Sequence, residues 1–294
     1  MSGCLFKLYS AVAGNITKGM RKKLTANLTK PEKSLMGRFV TRLFVKHNWL
    51  LEEAAVDLLN IQPDDNILEV GFGPGLGLLY AHDKMRDGQG TVFGVDYSKY
   101  MLEKATKRCI TEIQENRMQL HCTTVDRLPF TNDFMDGIYH CNCYYFWPNR
   151  RSACAELLRV LKPGGRMVTT LSMARLKEIN SRQVLPESRT DPLSYMMSLE
   201  RAGFVDIEIK YFKTSDNSRN ALTYEAIVAR KPTAEELQLL TDDEDENDPM
   251  RTERMMQQLK QDVMKRKKIV TVLKVQRPLP EGAVEMDQKE KDRK

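Results

Sequence analysis

No run of about 18 uncharged apolar residues occurs in this 294-residue chain, which argues against a membrane-spanning helix and reads as a soluble protein. Cysteine is scarce. The six (Cys4, Cys109, Cys122, Cys141, Cys143, Cys154) are irregularly spaced and no signal-peptide core precedes them, the usage of reduced thiols in an intracellular, cytoplasmic protein. Acids are nearly missing from residues 1–50, where ten Lys and Arg face Glu32 alone; residues 232–294 hold 13 basic and 15 acidic side chains. The overall charge of +6 is therefore an N-terminal property. A near-neutral middle lacks the clustered basic face that nucleic-acid binding needs, so no nucleic-acid partner is expected.

What is present is an alternation of periods. Residues 1–33 form a basic segment, expected to be either a helix lying on the domain or a mitochondrial presequence. From Ser34 to Asn60 apolar residues recur at helical spacing, with a break at His47-Asn48 that predicts two helices. Asn66–Val70 and Gly90–Val95 read as strands around a helix at Leu76–Arg86, followed by a helix over Lys99–Glu115 and strands over Met118–Thr124 and Gly137–Cys143. A helix over Arg151–Leu161 ends at Lys-Pro-Gly-Gly, and a strand over Arg166–Ser172 follows. After a helix over Asp191–Ala202, two strands (Val205–Phe212 and Thr223–Ala229) follow with no helix between them. This is an α/β domain over 34–231, a mostly parallel sheet closed by an antiparallel hairpin. Residues 232–294 begin with an acidic block (Thr241–Pro249) and carry Lys265–Lys268, a composition that predicts a flexible tail; its apolar stretch Ile269–Leu273 is a candidate added strand or docking segment.

The sharpest chemical signal is Glu69-Val-Gly71-Phe-Gly73-Pro-Gly75-Leu-Gly77 between a strand and a helix. Glycines let the backbone approach a ligand, and a helix N-terminus favours negative charge. The dinucleotide pattern G-x-G-x-x-G is not met, because Leu76 stands where its third glycine would be, which disfavours NAD. Asp96 closes the second strand, where an acid can accept from both ribose hydroxyls, and Asp126 follows the third, within reach of an adenine amine.

With these elements in place the sequence resembles the class I S-adenosylmethionine-dependent methyltransferases, in particular the type 11 methyltransferase domain of many small-molecule and quinone-biosynthesis enzymes. Glu69–Gly77, Asp96, Asp126 with Leu128-Pro129-Phe130, Phe134-x-Asp136 and Leu158–Gly165 carry the resemblance, over residues 35–230. It implies a Rossmann-like three-layer sandwich: a seven-stranded, mostly parallel sheet with its last strand antiparallel, under an N-terminal helical cap at 34–60. It implies S-adenosylmethionine as cofactor and S-adenosylhomocysteine as product. Glu69, Gly71, Gly73 and Gly75 would then serve the methionine end, Asp96 the ribose, and Asp126 and Arg127 the adenine with Tyr97 on its face. Asn142 would stand near the sulfonium.

The acceptor and its catalytic groups are less legible. His140, Tyr144 and Tyr145 after the fourth strand, and His47 in the cap, are candidate catalytic residues; strand alternation puts 140, 142 and 144 on one face, and structural roles for both histidines are the competing expectation. Cys141 and Cys143, expected on one strand face, have no companion pair at zinc spacing, so no metal is expected. The polar stretch Ala174–Thr190 is expected as a loop framing the acceptor pocket. The reading is a small-molecule methyltransferase, with weak contact to an anionic membrane through the basic N-terminus. A protein or RNA methyltransferase and a non-catalytic scaffold are the alternatives; the sequence does not indicate an oligomeric state.

Overall fold

The computed structural model describes residues 18–181, 184–214, 223–236, 238 and 270–273. The apolar pattern at Leu5–Val12, the acidic block and Lys265–Lys268 lie outside the described residues. Among the described residues no helix is long and apolar enough to cross a membrane.

In chain order the elements are α1 (Lys18–Thr29), α2 (Leu35–Leu59), β1 (Asn66–Val70), α3 (Leu76–Lys84), β2 (Thr91–Asp96), α4 (Lys99–Arg108), α5 (Ile110–Gln114), β3 (Met118–Cys122) and β4 (Met135–Cys141). They continue with α6 (Arg150–Val160), β5 (Leu161–Leu171), α7 (Met173–Ser181), α8 (Glu187–Thr190), α9 (Pro192–Ala202), β6 (Val205–Thr214), β7 (Thr223–Arg230) and β8 (Val270–Leu273). The strand order is β3-β2-β1-β4-β5-β7-β6-β8. Every neighbouring pair is parallel except those of β7, which runs antiparallel to both β5 and β6. The first seven strands are thus the Rossmann-like sheet with its last strand antiparallel, and β8 from the apolar stretch of the tail adds an eighth beside β6.

Strands β1, β2 and β4 read as near-continuous apolar runs because both faces of the sheet are covered. On one face Leu68 and Ile138 pack with Leu157 of α6 and Leu199 of α9; on the other Ile67, Val92 and Tyr139 pack with Val56 of α2, Leu78 of α3 and Met101 of α4. The order of strand addition reverses at β1, with β2 and β3 on one side and β4 and β5 on the other, so the crevice above the carboxyl ends of β1 and β4 is where an open α/β sheet takes its ligand.

Several boundaries differ from the sequence expectation. The segment after Ser34, whose hydroxyl caps Gly37 N at 3.0 Å, is one 25-residue helix. His47-Asn48 interrupts its apolar stripe because that stretch forms part of a cavity wall, and neither Pro nor Gly is present there to break it. The predicted helix 99–115 divides at Cys109, whose thiol reaches Gly75 O. Strand β4 stops at Cys141, since Asn142 takes a left-handed conformation (φ 49°). Lys162–Gly165 lies within β5, as an irregularity between the pairs Met135–Leu161 and Gly137–Arg166. The expected loop 174–190 is largely helical, as α7 and α8. Helix α1 lies on the domain, with Leu24 buried and Thr25 Oγ1 donating to Val184 O at 3.1 Å.

Candidate functional site

The chain leaves β1 at Val70 and turns through Gly71–Gly75 into α3. Gly71 has φ +72°, and a Cβ there would lie 2.7 Å from Cys143 Sγ. Gly75 caps α3 with φ +86°, and a Cβ would meet that of Ala105 at 3.0 Å. Both positions require glycine, for conformation and for space. At the end of β2, Asp96 braces this turn: its carboxylate accepts from Gly73 N at 3.0 Å and from Ser98 N at 2.8 Å. Burial raises its pKa to about 6, against the lowering effect of these two amides.

The turn opens into a cavity of about 750 Å³, within the range of roughly 300–1,000 Å³ for small-molecule sites. Its lining includes Gly71, Gly73, Asp96, Tyr97, Asp126 and Arg127, from the turn after β1, the end of β2 and the residue after it, and the segment after β3. Tyr97 is fixed by its hydroxyl, which donates to Thr29 O at 2.5 Å, and Ser98 Oγ donates to Pro31 O at 2.5 Å. The connection between α1 and α2 is thereby tied to the segment after β2. The rest of the wall is mainly apolar, with Leu43, Phe44, Tyr145, Phe146, Leu176 and Ile179. Its polar groups include His47, Asn48, Asn142 and Arg175. Asn142 Nδ2 donates to Asn48 Oδ1 at 3.2 Å, tying the end of β4 to α2. Burial, then the charges of Arg175 and Lys46, push His47 down to about 4, so its imidazole is neutral at pH 7.

Four of the expected site residues stand outside this wall. His140 is fully buried; its Nε2 lies 2.8 Å from Tyr195 Oη and 2.9 Å from Thr169 Oγ1, and Trp147 packs beside its ring. Tyr144 is also fully buried, stacked on Tyr195 with its hydroxyl donating to Thr190 O at 2.8 Å. The alternation argument that grouped 140, 142 and 144 fails because β4 has ended and Tyr144–Phe146 is a 3-10 turn. For the same reason Cys141 and Cys143 are not on one strand face: Cys141 packs beside Leu50 and Phe212, whereas Cys143 Sγ accepts from Trp147 Nε1 at 3.2 Å. Gly75 does its work in the α3 cap. Glu69 sits beneath the turn, accepting from Tyr139 Oη at 3.0 Å, in space that a side chain at Gly77 would invade.

Sequence reasoning missed three charged wall residues, Glu52 of α2 and Arg175 and Glu178 of α7. Glu52 is, in the sequence, one of two adjacent acids, Glu52-Glu53, between Leu50-Leu51 and Ala54-Ala55. It is buried, and its Oε2 has no hydrogen-bond partner. Burial raises the Glu52 carboxyl while Arg108 and the Gly77 amide draw it down; burial and then Glu52 itself raise Glu69. The pair therefore retains protons in the fold that the unfolded chain releases near pH 4.5. Its stabilising contribution is complete below that pH and is lost as pH rises toward about 8, the folded value for Glu52. The cofactor-free protein should lose thermal stability between pH 6 and 8, by on the order of a few kcal/mol, and Glu52→Gln should flatten the profile in a calorimetric series.

These residues fit an S-adenosyl cofactor. The glycine turn leaves room for close backbone approach, Asp96 offers a carboxylate to a ribose, and the orphaned Glu52 oxygen offers an acceptor to an ammonium.

Residues 68–169 match a family model described as a methyltransferase domain. The chain is 27% identical over 172 residues to the uncharacterized methyltransferase YdaC of Bacillus subtilis, covering 58% of this chain and 87% of that protein. It is 35% identical over 115 residues to the demethylmenaquinone methyltransferase of Symbiobacterium thermophilum, covering 37% of this chain but only 43% of the relative. The fold matches that of Haemonchus contortus phosphoethanolamine N-methyltransferase 2, solved with phosphomonomethylethanolamine and S-adenosylhomocysteine. There the TM-score is 0.52 at 17% identity, over 71% of this chain and 60% of that one. Motif, sheet order and family match agree that residues 68–169 form a methyltransferase domain, set in a sheet of the class I S-adenosylmethionine-dependent methyltransferase fold.

Proposed function

We propose that this protein methylates a small acceptor with a substantial apolar part, and that cofactor and acceptor meet within the 750 Å³ cavity. The observation that carries this is the cavity's lining, in which Asp96 and the glycine turn share one space with a mainly apolar wall from α2, α7 and the 144–146 turn. The cofactor, when bound, supplies a methyl group on a sulfonium that is already an excellent leaving group. The chain's own residues then have to bind, orient and exclude water.

In this reading Asp96 accepts from the ribose hydroxyls, Tyr97 packs on the adenine, and Asp126 and Arg127 border its edge. Glu52 takes the ammonium, a role for which its unpaired oxygen suits it better than the Tyr139-bonded Glu69. Tyr145, Phe146, Leu176 and Ile179 keep water from the transfer path. His47 is the histidine among the described wall residues, and its neutral imidazole can accept a proton if the acceptor must lose one. His140 and Tyr144 support the wall from behind through Tyr195.

The test is to incubate the full chain with methyl-deuterated S-adenosylmethionine and separate metabolite, RNA and protein fractions of a cell extract. Label is expected in a small molecule by mass spectrometry. Label confined to protein or RNA would refute the acceptor class.

A further inference from the structure

We infer that Arg175 is an anion receptor in the acceptor half of the cavity, so that the acceptor carries a carboxylate or phosphate on its apolar body. The inference rests on the methyltransferase reading above and narrows its substrate class. Arg175 projects from the first turn of α7 and forms part of the cavity wall. One guanidinium nitrogen, Nη1, donates to the backbone carbonyl of His47 in the middle of α2, at 2.5 Å. That bond ties the head, which projects from α7, to the backbone of α2. The guanidinium has five N–H donors, and the Nε–Nη2 edge, the pair that grips a carboxylate or phosphate bidentately, has no acceptor among the described residues.

The surroundings do not neutralise it. Cys141 and Tyr145 are the groups that act on its charge, and burial keeps both thiol and phenol in their neutral forms. Among the described residues no carboxylate forms an ion pair with Arg175: Glu225 accepts instead from Met173 N at 2.8 Å. Glu178, one turn along α7 and also on the wall, is not among the groups acting on the guanidinium. Arg175 is half-buried on the cavity wall with one acceptor among the described residues, and its remaining donors are not sealed in the protein, so they are open to a group in the cavity. An anionic acceptor group would accept from them. It would also offset the share of the His47 lowering that comes from Arg175, burial being the larger cause, and so move that imidazole toward greater basicity as the acceptor binds.

The test uses the full chain saturated with S-adenosylhomocysteine, titrated calorimetrically with decanoate, decyl phosphate, decanol and decylammonium. At least one of the two anions should bind about tenfold or more tightly than decanol. Arg175→Met should abolish that preference, and Arg175→Lys should keep part of it. The S-adenosylhomocysteine affinity of each variant, measured first, reports that the fold is intact. Equal binding of anions and decanol, tighter binding of decylammonium, or an anion preference that survives in Arg175→Met would overturn the proposal. If S-adenosylhomocysteine itself failed to bind while the Arg175-dependent preference for anions persisted, the methyltransferase reading would fall and the anion site would stand.

Discussion

Asp96→Ala should weaken binding of S-adenosylmethionine and S-adenosylhomocysteine by about a hundredfold or more. The carboxylate has two tasks that a truncated side chain cannot share. Its oxygens accept from Gly73 N and Ser98 N, which holds the glycine turn against the start of α4, and the same oxygens retain lone pairs for two ribose hydroxyls. Hydrogen bonds to a charged group contribute about 1.5–3 kcal/mol each, so losing two ligand contacts is enough for the stated effect before any loosening of the turn is counted. A pH signature goes with it. Burial places the Asp96 carboxyl at about 6 in the cofactor-free protein, so it is mostly ionised at pH 7 and becomes protonated as pH falls through that value. Cofactor affinity should fall more steeply below pH 6 in the natural chain than in Asp96→Ala, where only the dependence contributed by Glu52, raised to about 8, remains. Titration calorimetry at pH 7.5, 6.5 and 5.5 measures both effects.

Gly71→Ala should remove most cofactor binding and lower the unfolding midpoint. A non-glycine residue at φ +72° costs roughly 1–2 kcal/mol, and the added Cβ would stand 2.7 Å from Cys143 Sγ. Cys143 has little freedom to withdraw, because Trp147 Nε1 donates to its sulfur at 3.2 Å and the Trp147 ring is buried against His140 and Tyr195. The strain therefore falls on the turn that must approach the ligand. A double-mutant cycle separates the two causes. Gly71→Ala combined with Cys143→Ala should regain the part of the stability lost to the steric contact, and the conformational part should persist. If Gly71→Ala alone bound cofactor normally, the turn would not be the ligand cradle.

The comparison of sequence and structure explains why some of this was legible and some was not. The glycine turn, Asp96 and the strand-helix alternation are local features: each needs particular residue types at particular chain spacings, and those survive in the sequence. The cavity wall is different in kind. Glu52 lies in an apolar stretch of α2 and Arg175 in a polar stretch of α7, and only the packing of those helices over the sheet brings both to one space. Periodicity reports which face of a helix is buried and says nothing about whether it is buried against core or against a ligand. The same ambiguity made His47-Asn48 look like a helix break, when it is where α2 exchanges core for cavity. His140 and Tyr144 fail for the converse reason. Their strand-end position resembles a site position, but His140 is still in β4 on the face it shares with Ile138, which packs on α6 and α9, and the left-handed Asn142 with the 3-10 turn brings Tyr144 to the same Tyr195 of α9 in the core.

The most direct test of the central claim, that the cavity over Gly71, Gly73 and Asp96 holds an S-adenosyl cofactor, is titration of the full chain with S-adenosylmethionine, S-adenosylhomocysteine and NAD in parallel. Saturable one-to-one binding of the first two in the micromolar range, with none for NAD, is the predicted result. Binding of NAD, or of the S-adenosyl compounds with affinity unaltered in Asp96→Ala, would contradict it.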